Sequence, residues 1–286
     1  MKKTVYVGVN IDWSKSFVDE NGGFYAGTSQ AAKELTARLM PYMDIVVNTT
    51  DFHSIKSHEF AINGGMWPLH NVAEYKTINV EDYGLKPGTS ISPRQTKTIE
   101  AAIDKKRTGV VVPRHVYFQD GVYQNITPEM VEDAFEERII TPEEFMKENF
   151  SYIIAPKTHF DATTVVSEHN MPADDITGVP RSEYTVFDLI EEKFPKSEYE
   201  VVYVNTGVVD NICRHYTSTG EKQRFGRRVV NVIGATTELY GIGLGFEDKH
   251  QVKDACQRIQ TDIGIEHKTL EDMIKEIETT RGGSVK

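Results

Sequence analysis

The sequence is poor in cysteine, with only Cys213 and Cys256 in 286 residues. Two cysteines cannot form the disulfide framework of a small secreted domain, and such sparing use is typical of a reducing compartment. No apolar run is long enough to cross a membrane. The run after the first lysines is interrupted at Asn10 and Asp12, which indicates a β-strand rather than a signal peptide. We therefore expect a cytoplasmic protein with no membrane partner.

The chain also lacks an excess of positive charge. Its 43 acidic and 32 basic residues give a net charge of −11, whereas a protein that binds nucleic acid needs a basic stripe to neutralise phosphates. We therefore exclude a nucleic-acid partner. Internal repeats and low-complexity tracts are absent as well. Because 39% of the residues are hydrophobic, the chain can bury a core of its own, and we assign residues 1–286 to a single domain.

What the sequence does contain is an alternation of strand and helix patterns. Buried strands are predicted where apolar, β-branched residues run together, at 4–11, 44–50, 152–155, 201–204 and 228–233. Amphipathic helix patterns lie between these runs. The alternation predicts an α/β fold, a doubly wound and mostly parallel sheet with helices on both faces.

The alternation weakens between about residues 75 and 148. Short strands are predicted at 110–113 and 116–118, and Asp120-Gly121 is a hairpin signal. We expect this segment to be an inserted subdomain rather than part of the core sheet. It could cover a pocket as a lid, build a contact in a homo-oligomer or alter what a site accepts.

Three reactive side chains follow predicted strands: Asp12, Lys157 and Cys213. In open α/β sheets, binding sites form outside the carboxyl ends of the strands. We expect Cys213 near the first turn of a helix, where the N-terminus stabilises a thiolate. Each residue could also have a purely structural role. Free cysteines usually pack as small hydrophobic side chains, loop aspartates often form turns, and lysines usually lie at the surface.

A second group of residues is typical of a metal site. Asp51 and His53 follow the strand at 44–50, and an Asp-x-His pair places two ligand-type side chains on the same side of an extended segment. His70 lies further along the chain. One carboxylate with two imidazoles is a normal site for zinc or another borderline divalent metal. Asp-x-His alone is more often a structural hydrogen bond, and His58 and Glu59 are weaker candidates for additional ligands.

Taken together, these segments resemble the isochorismatase-like cysteine hydrolases and, within them, the nicotinamidases. Segment 11–17 (IDWSKSF) is similar to the family's I-D-x-Q-x-D-F opening, and segment 51–53 (DFH) to its D-W-H metal motif. Segment 67–72 (WPLHNV) matches W-P-x-H-C-V. Segment 154–157 (IAPK) resembles the strand that carries the catalytic lysine, and 207–213 (GVVDNIC) resembles the nucleophile turn G-V-A-T-D-Y-C. The resemblance covers about the first seventy residues and the chain from about residue 151 onward.

The resemblance implies an amidohydrolase that converts nicotinamide to nicotinate and ammonia, feeding NAD salvage. Cys213 would attack the carboxamide carbon, and Asp12 would take the thiol proton and pass it to the departing ammonia. Lys157 would favour the charge-separated pair and lower the pKa of both partners. The backbone N–H groups of Val209 and Cys213 would form the oxyanion hole, with a cis peptide at Val208-Val209.

The resemblance also implies a metal and a substrate pocket. Asp51, His53 and His70 would hold one divalent metal, with zinc the first expectation and iron or manganese the alternatives. The metal would bind the pyridine nitrogen of nicotinamide. The aromatic side chains that would hold the ring are Phe17, Trp67 and Phe160.

Several positions depart from the family pattern. Ser14 and Ser16 replace Gln and Asp of the opening motif, and Asn10 leaves open a shifted register in which Asp12 is not the base. Arg214 follows the cysteine where an apolar residue is usual, and Arg114 is a weaker rival to Lys157. The alternatives to a nicotinamidase are a relative that hydrolyses another small amide and a relative without catalytic activity.

Overall fold

The computed structural model describes residues 2–103, 107–112, 126–158, 160–164, 184–237 and 249–282. Within these ranges, seven strands form one sheet: β1 (Lys3–Ile11), β2 (Ile45–Asp51), β3 (Thr108–Val110), β4 (Tyr152–Lys157), β5 (Tyr199–Gly207), β6 (Arg228–Val232) and β7 (Glu266–Lys268).

The described residues also form nine α-helices. They are α1 (Lys15–Val18), α2 (Gln30–Leu39), α3 (Lys97–Glu100), α4 (Pro128–Phe135), α5 (Pro142–Lys147), α6 (Val186–Lys193), α7 (Cys213–Gly220), α8 (Lys249–Asp262) and α9 (Leu270–Thr280). None of the described helices has both the length and the apolar character that crossing a bilayer requires.

The sheet has the strand order β3-β4-β2-β1-β5-β6-β7, and every neighbouring pair is parallel. The chain runs from β1 outward to β2 on one side, and after β4 it crosses to β5 on the other side. The direction of winding therefore reverses between β1 and β5. In open α/β sheets this switch point leaves a crevice at the carboxyl ends of the two strands.

Alternating residues of the central strands build a core on each face of the sheet. On β5, Val201 and Tyr203 pack into one core together with Leu189 and Ile190 of α6. Val202 and Val204, which point the other way, join Leu270 and Met273 of α9 and Leu39 of α2. Because apolar side chains cover both faces, these strands are the continuous β-branched runs expected of a buried parallel sheet. The predicted fold class is confirmed.

The segment at about 75–148 differs in part from its prediction. β3 lies within it and pairs with β4 in the main sheet, and its Val110 is fully buried in the core. Part of the segment therefore belongs to the core sheet rather than to a separate subdomain, because β3 is the edge strand of that sheet and pairs in parallel with β4. The strand predicted at 116–118 and the hairpin signal at 120–121 lie outside the described residues. The role of the insertion stays a prediction.

Candidate active site

The strand order brings four reactive side chains to the crevice. Asp51 and Lys157 are the last residues of β2 and β4, and they stand opposite each other in the parallel register. Asp12 follows β1 directly, and Cys213 is the first residue of α7, six residues after β5 ends. Since β4, β2, β1 and β5 are consecutive neighbours, parallel pairing places all four at one edge.

Asp12, Lys157 and Cys213 form a buried cluster. Lys157 Nζ lies 2.9 Å from Asp12 Oδ2 and 3.6 Å from Cys213 Sγ. The other carboxylate oxygen, Asp12 Oδ1, accepts the backbone N–H of Asp51 at 2.9 Å. Asp12 also has a positive φ of 54°, so the chain leaves β1 sharply and turns the carboxylate back toward Lys157. The arrangement can hold a proton between thiol and carboxylate beside a fixed cation.

Burial dominates the protonation of this cluster. It raises the pKa of Asp12 and raises the pKa of Cys213 well above its ordinary value, and the negative charge of Asp51 acts in the same direction on both. Lys157 acts in the opposite direction on both pKa values, as expected, but its effect is the smaller one. Lys157 thus lowers both pKa values, as the resemblance implies, but burial outweighs its effect and the net shift of each pKa is upward. A carboxylate with a raised pKa is, however, a better acceptor for the thiol proton.

The nucleophile turn, residues 208–213, joins β5 to α7. Its Val208-Val209 peptide bond is cis, as the resemblance implies. Gly207 has a φ of 123°, and a Cβ there would lie 2.1 Å from the carbonyl oxygen of Ile11, so this close approach to β1 requires glycine. Val208, Val209 and Cys213 all line the pocket described below.

Next to the Asp12–Lys157–Cys213 cluster, four side chains form a metal-type cluster. Asp51, His53, Glu59 and His70 each place one ligand atom so that all four lie within 4.8 Å of one another. Both imidazole Nε2 atoms lie 3.2–3.3 Å from Asp51 Oδ2 and 3.1–3.2 Å from Glu59 Oε1. A divalent cation at their centre would have two nitrogen and two oxygen donors.

The negative charge around the two histidines suits such a cation. His70 Nδ1 lies 2.7 Å from the carbonyl oxygen of Pro68, to which it can donate, and this contact leaves Nε2 to face the carboxylates. Although burial lowers the pKa of His70, its hydrogen bonds to Asp51 and Glu59 raise the pKa to about 10. The same two carboxylates raise the pKa of His53. A buried pocket that attracts positive charge so strongly, built from zinc-type donors, suits a divalent metal.

The fourth member of this cluster is one of the two weaker candidates that the sequence offered. The side chain of His58 is exposed and does not belong to the cluster. Glu59 does belong to it. Its backbone carbonyl accepts the N–H groups of both Met66 and Trp67 at 3.0 Å, and this pairing turns the Glu59 side chain inward.

Aromatic rings form the walls of a pocket over both clusters. Phe17 lies 4.9 Å from the ring of His70, centroid to centroid, and Trp67 lies 6.3 Å from Phe160. Phe24, which sequence analysis missed, lies 5.5 Å from Trp67. The only sequence signal for Phe24 is an aromatic residue directly after a glycine-rich turn. The pocket, together with the open solvent at its mouth, has a volume of about 700 Å³. Its lining residues are Asp12, Phe17, Phe24, Ala26, Asp51, Glu59, Trp67, His70, Thr158, Phe160, Val208, Val209, Ile212 and Cys213.

The residues that depart from the family pattern are also placed. Ser14 and Ser16 are buried, and Ser16 Oγ accepts the backbone N–H of Asn71 at 3.2 Å, beside His70. Arg214 is buried within α7 rather than turned to solvent. Arg114, the rival to Lys157, lies outside the described residues.

A parallel sheet with a buried cysteine, carboxylate and lysine at its carboxyl edge, beside a metal-type cluster, defines an α/β protein with a site suited to nucleophilic chemistry. No family model and no curated protein matches the chain. Several solved structures do match the chain. A cysteine hydrolase from Pseudomonas syringae pv. phaseolicola aligns over 96% of this chain and 93% of its own, with a TM-score of 0.53 and 10% identity.

Two further solved structures are similar. PnC1 from L. infantum, solved in complex with nicotinate, aligns over 93% of this chain and 92% of its own, with a TM-score of 0.51 and 12% identity. A protein from Oleispira antarctica assigned as an isochorismatase hydrolase aligns over 96% and 98%, with a TM-score of 0.51 and 10% identity. The chain therefore has the isochorismatase-like hydrolase fold, and the resemblance found in the sequence is confirmed at the level of the fold.

Proposed function

We propose that the protein is a metal-containing cysteine amidohydrolase that converts nicotinamide to nicotinate and ammonia. The observation that supports this function is the shared pocket: the Asp12–Lys157–Cys213 cluster and the four-residue metal-type cluster both face it. A carboxamide carbon could then stand at Cys213 while the ring reaches toward the metal-type cluster.

The charge of the pocket favours a neutral amide. Asp12, Asp51 and Glu59 bring carboxylates to its lining, and His70 brings an imidazole whose pKa is raised to about 10. Lys157, behind them, already contacts Asp12 and Asp51, and His70 already contacts Asp51 and Glu59. Among the described side chains the carboxylates are thus in excess and both cations are paired, so an anionic substrate is disfavoured. The walls are otherwise apolar and aromatic, as a flat heteroaromatic ring requires.

The first half of the reaction forms a thioester on Cys213. The thiol proton moves to Asp12, and Sγ attacks the carboxamide carbon. The backbone N–H groups of Val209 and Cys213 stabilise the oxyanion, which resides on the former carbonyl oxygen. Asp12 then donates the proton to the amide nitrogen, and the C–N bond breaks as ammonia leaves.

The second half of the reaction releases the acid. Asp12 takes a proton from water, the hydroxyl oxygen attacks the thioester carbon, and the C–S bond breaks to give nicotinate. The thiolate of Cys213 recovers its proton from Asp12. Lys157 stays cationic throughout, because Asp12 and Asp51 raise its pKa well above the ordinary value although burial lowers it.

Asp51, His53, Glu59 and His70 would hold the metal. When bound, the metal supplies a positive charge that attracts the ring nitrogen of the substrate and so orients the carboxamide toward Cys213. Phe17 and Trp67, with Phe24 and Phe160, exclude water and restrict the ring. Zinc suits the mixed nitrogen and oxygen donors best, with iron and manganese as alternatives.

The test is ammonia release from nicotinamide by the zinc-, iron- or manganese-loaded protein. We expect activity in the wild type and a loss of about a thousandfold or more in Cys213→Ala, because the nucleophile is gone. Cys256→Ser is the matched control, since Cys256 is a half-buried cysteine on α8 and does not line the pocket. Activity that survives in Cys213→Ala would contradict the mechanism.

The choice of substrate separates the alternatives. Benzamide has the shape of nicotinamide without the ring nitrogen, so we expect a much lower kcat/KM for it if the metal-type cluster orients the ring. Equal rates would favour a relative that hydrolyses other small amides. No ammonia from any carboxamide, with any of the three metals, would favour a relative without catalytic activity.

A further inference from the structure

Arg214 is the residue after the nucleophile, and it is one of the largest fully buried side chains of the described chain, 2% exposed. A buried guanidinium is costly unless charge and hydrogen bonds compensate it. An apolar side chain could occupy the same buried position at the start of α7 without this cost, so the presence of arginine there needs an explanation.

The guanidinium ties the two ends of a short segment together. Arg214 Nη1 donates to Asp210 Oδ1 at 2.9 Å, so the pair spans residues 210–214 and encloses Cys213. Arg214 Nη2 donates to the carbonyl oxygen of Val232, the last residue of β6, at 3.1 Å. The Arg214 side chain thus joins the start of α7 to Asp210 within the nucleophile turn, and it also joins the turn to β6 of the sheet. A planar guanidinium can make both bonds at once, whereas a lysine ammonium has no such fork.

The backbone of the same segment depends on this closure. The carbonyl oxygen of Val209 accepts the N–H groups of both Ile212 and Arg214, at 3.0 and 3.1 Å, on either side of Cys213. The N–H of Asp210 donates to Thr237 at 2.7 Å. Small movements of residues 210–214 would therefore move the thiol and the proposed oxyanion-hole groups together.

We propose that Arg214 is a positioning residue, which holds the nucleophile turn through Asp210 and Val232 so that Cys213 stays in line with Lys157 and Asp12. The proposal rests on the proposed amide hydrolysis at Cys213. Arg214 does not line the pocket, so its effect falls on the reaction step rather than on ring binding. Misplacement of a reacting group by about 1 Å can cost about a hundredfold in rate.

Arg227 supplies a matched control. It is also a buried arginine, 6% exposed, that pairs with one carboxylate, Glu191, and donates to the carbonyl oxygens of Tyr199 and Phe194. It precedes β6, however, at the amino edge of the sheet and away from the nucleophile turn. Arg227→Met should lower the melting temperature as Arg214→Met does, without changing turnover.

The experiment compares kcat and KM for nicotinamide, normalised to folded protein. We expect Arg214→Met to lower kcat by about 10- to 100-fold with KM within about threefold, Arg214→Lys to lie between it and the wild type, and Arg227→Met to keep kcat within about twofold. Equal kcat losses in the two methionine variants, or none in Arg214→Met, would overturn the proposal. If Arg214→Met does not fold, Asp210→Asn weakens the same contact from its more exposed partner, whose side chain is 19% exposed, and should lower kcat by about three- to tenfold.

A second measurement needs no substrate, so it separates failure of this proposal from failure of the proposed function. In a Cys256→Ser background, Cys213 is the only thiol, and its alkylation by iodoacetamide can be timed. We expect alkylation to slow by about tenfold in Arg214→Met and to stay within about twofold in Arg227→Met. Matching alkylation rates in both variants would overturn the positioning role even if nicotinamide proves not to be the substrate.

Discussion

Asp51 belongs to both clusters of the site, with one carboxylate oxygen for each. Lys157 Nζ donates to Oδ1 at 3.2 Å, while His53 and His70 face Oδ2 at 3.3 and 3.2 Å. Burial raises the pKa of Asp51, but Lys157 and His53 outweigh burial and leave the pKa well below its ordinary value. At the scale of single residues, a permanently ionised carboxylate thus connects the proposed nucleophile with the proposed metal.

The proposed metal ligands can be tested one residue at a time. His53→Ala should lower bound zinc severely, and Glu59→Gln should weaken zinc affinity by about 10- to 100-fold, because each removes one of four donors. Bound metal is measured by elemental analysis after dialysis, and affinity by competition with a chelator.

His58→Ala is the control for that series. His58 is the immediate neighbour of Glu59 in sequence, but its side chain is exposed and outside the cluster, so this variant should bind zinc as the wild type does. Unchanged metal content in His53→Ala would refute the assignment. If His58→Ala, and not Glu59→Gln, loses metal, then His58 rather than Glu59 is the fourth ligand.

At the scale of elements, a tight loop at 59–67, closed by a parallel bridge between Phe60 and Trp67, connects the metal-type cluster to the pocket wall. The carbonyl of Glu59 accepts the N–H of Trp67, and position 65 requires glycine because a Cβ there would lie 2.1 Å from that carbonyl oxygen. The proposed ligands Glu59 and His70 flank the Trp67 ring in sequence, whereas Asp51 ends β2 and His53 follows it. A bound cation would therefore fix the loop against the sheet.

Removal of the metal should loosen this loop and expose Trp67. In Trp13→Phe, Trp67 is the only tryptophan, and we expect a chelator to shift its emission to the red and to increase acrylamide quenching by about twofold, with zinc reversing both. Trp67→Phe is the control, since the remaining Trp13 is fully buried and donates to Thr206 at 3.1 Å. If the chelator leaves the emission and quenching of Trp67 unchanged, the loop is rigid without the metal.

The elements also explain which features the sequence could predict. Strands β1, β2, β4, β5 and β6 were predictable because burial on both faces demands continuous apolar runs. β3 and β7 have three residues each, and β7 reads Glu-His-Lys, so pairing at the sheet edge rather than side-chain pattern defines them. Asp12, Lys157 and Cys213 could be proposed because they follow predicted strands.

Other parts of the site had a weaker signal or none. The sequence could not choose between the neighbours His58 and Glu59, and it did not indicate Phe24. Glu59 and Phe24 lie in loops, and loop backbones are placed by contacts with segments that are distant in sequence. Glu59 turns inward because its carbonyl pairs with Met66 and Trp67. The contact of Arg214 with Val232 likewise depends on how α7 lies across β6. Periodicity describes elements, and it carries no information on such contacts.

At the scale of the whole molecule, the two halves of the sheet have different tasks. The strands β3, β4 and β2 lead to the lysine and the metal-type cluster, and β5, β6 and β7 support the nucleophile turn. Beyond the site, β6, β7 and α9 are joined by an ionic cluster in which Arg228 donates to Glu266 at 2.7 and 2.8 Å and to Glu276 at 2.5 and 2.9 Å. Lys268 contacts both carboxylates as well.

This ionic cluster should make stability depend on pH in a defined direction. Hydrogen bonds from Arg228 lower the pKa of Glu266 from 4.5 to about 2. Because the folded pKa lies below the unfolded one, Glu266 stabilises the folded state above about pH 4.5, and this stabilisation is lost as the pH falls toward 2. The side chain is 39% exposed, so solvent screening reduces the contribution to about 1 kcal/mol.

Urea unfolding of Glu266→Gln and the wild type measures this contribution. We expect the free energy of unfolding of the variant to be lower by about 1 kcal/mol from pH 8 to pH 5, because glutamine keeps a hydrogen bond but not the charge. Below about pH 4.5 the difference should shrink, since the protonated wild type comes to resemble the variant. Glu192→Gln, an exposed position on α6, should differ little from the wild type at any pH. A difference for Glu266→Gln that stays constant down to pH 3 would mean that lost packing, rather than the ion pair with Arg228, explains the effect.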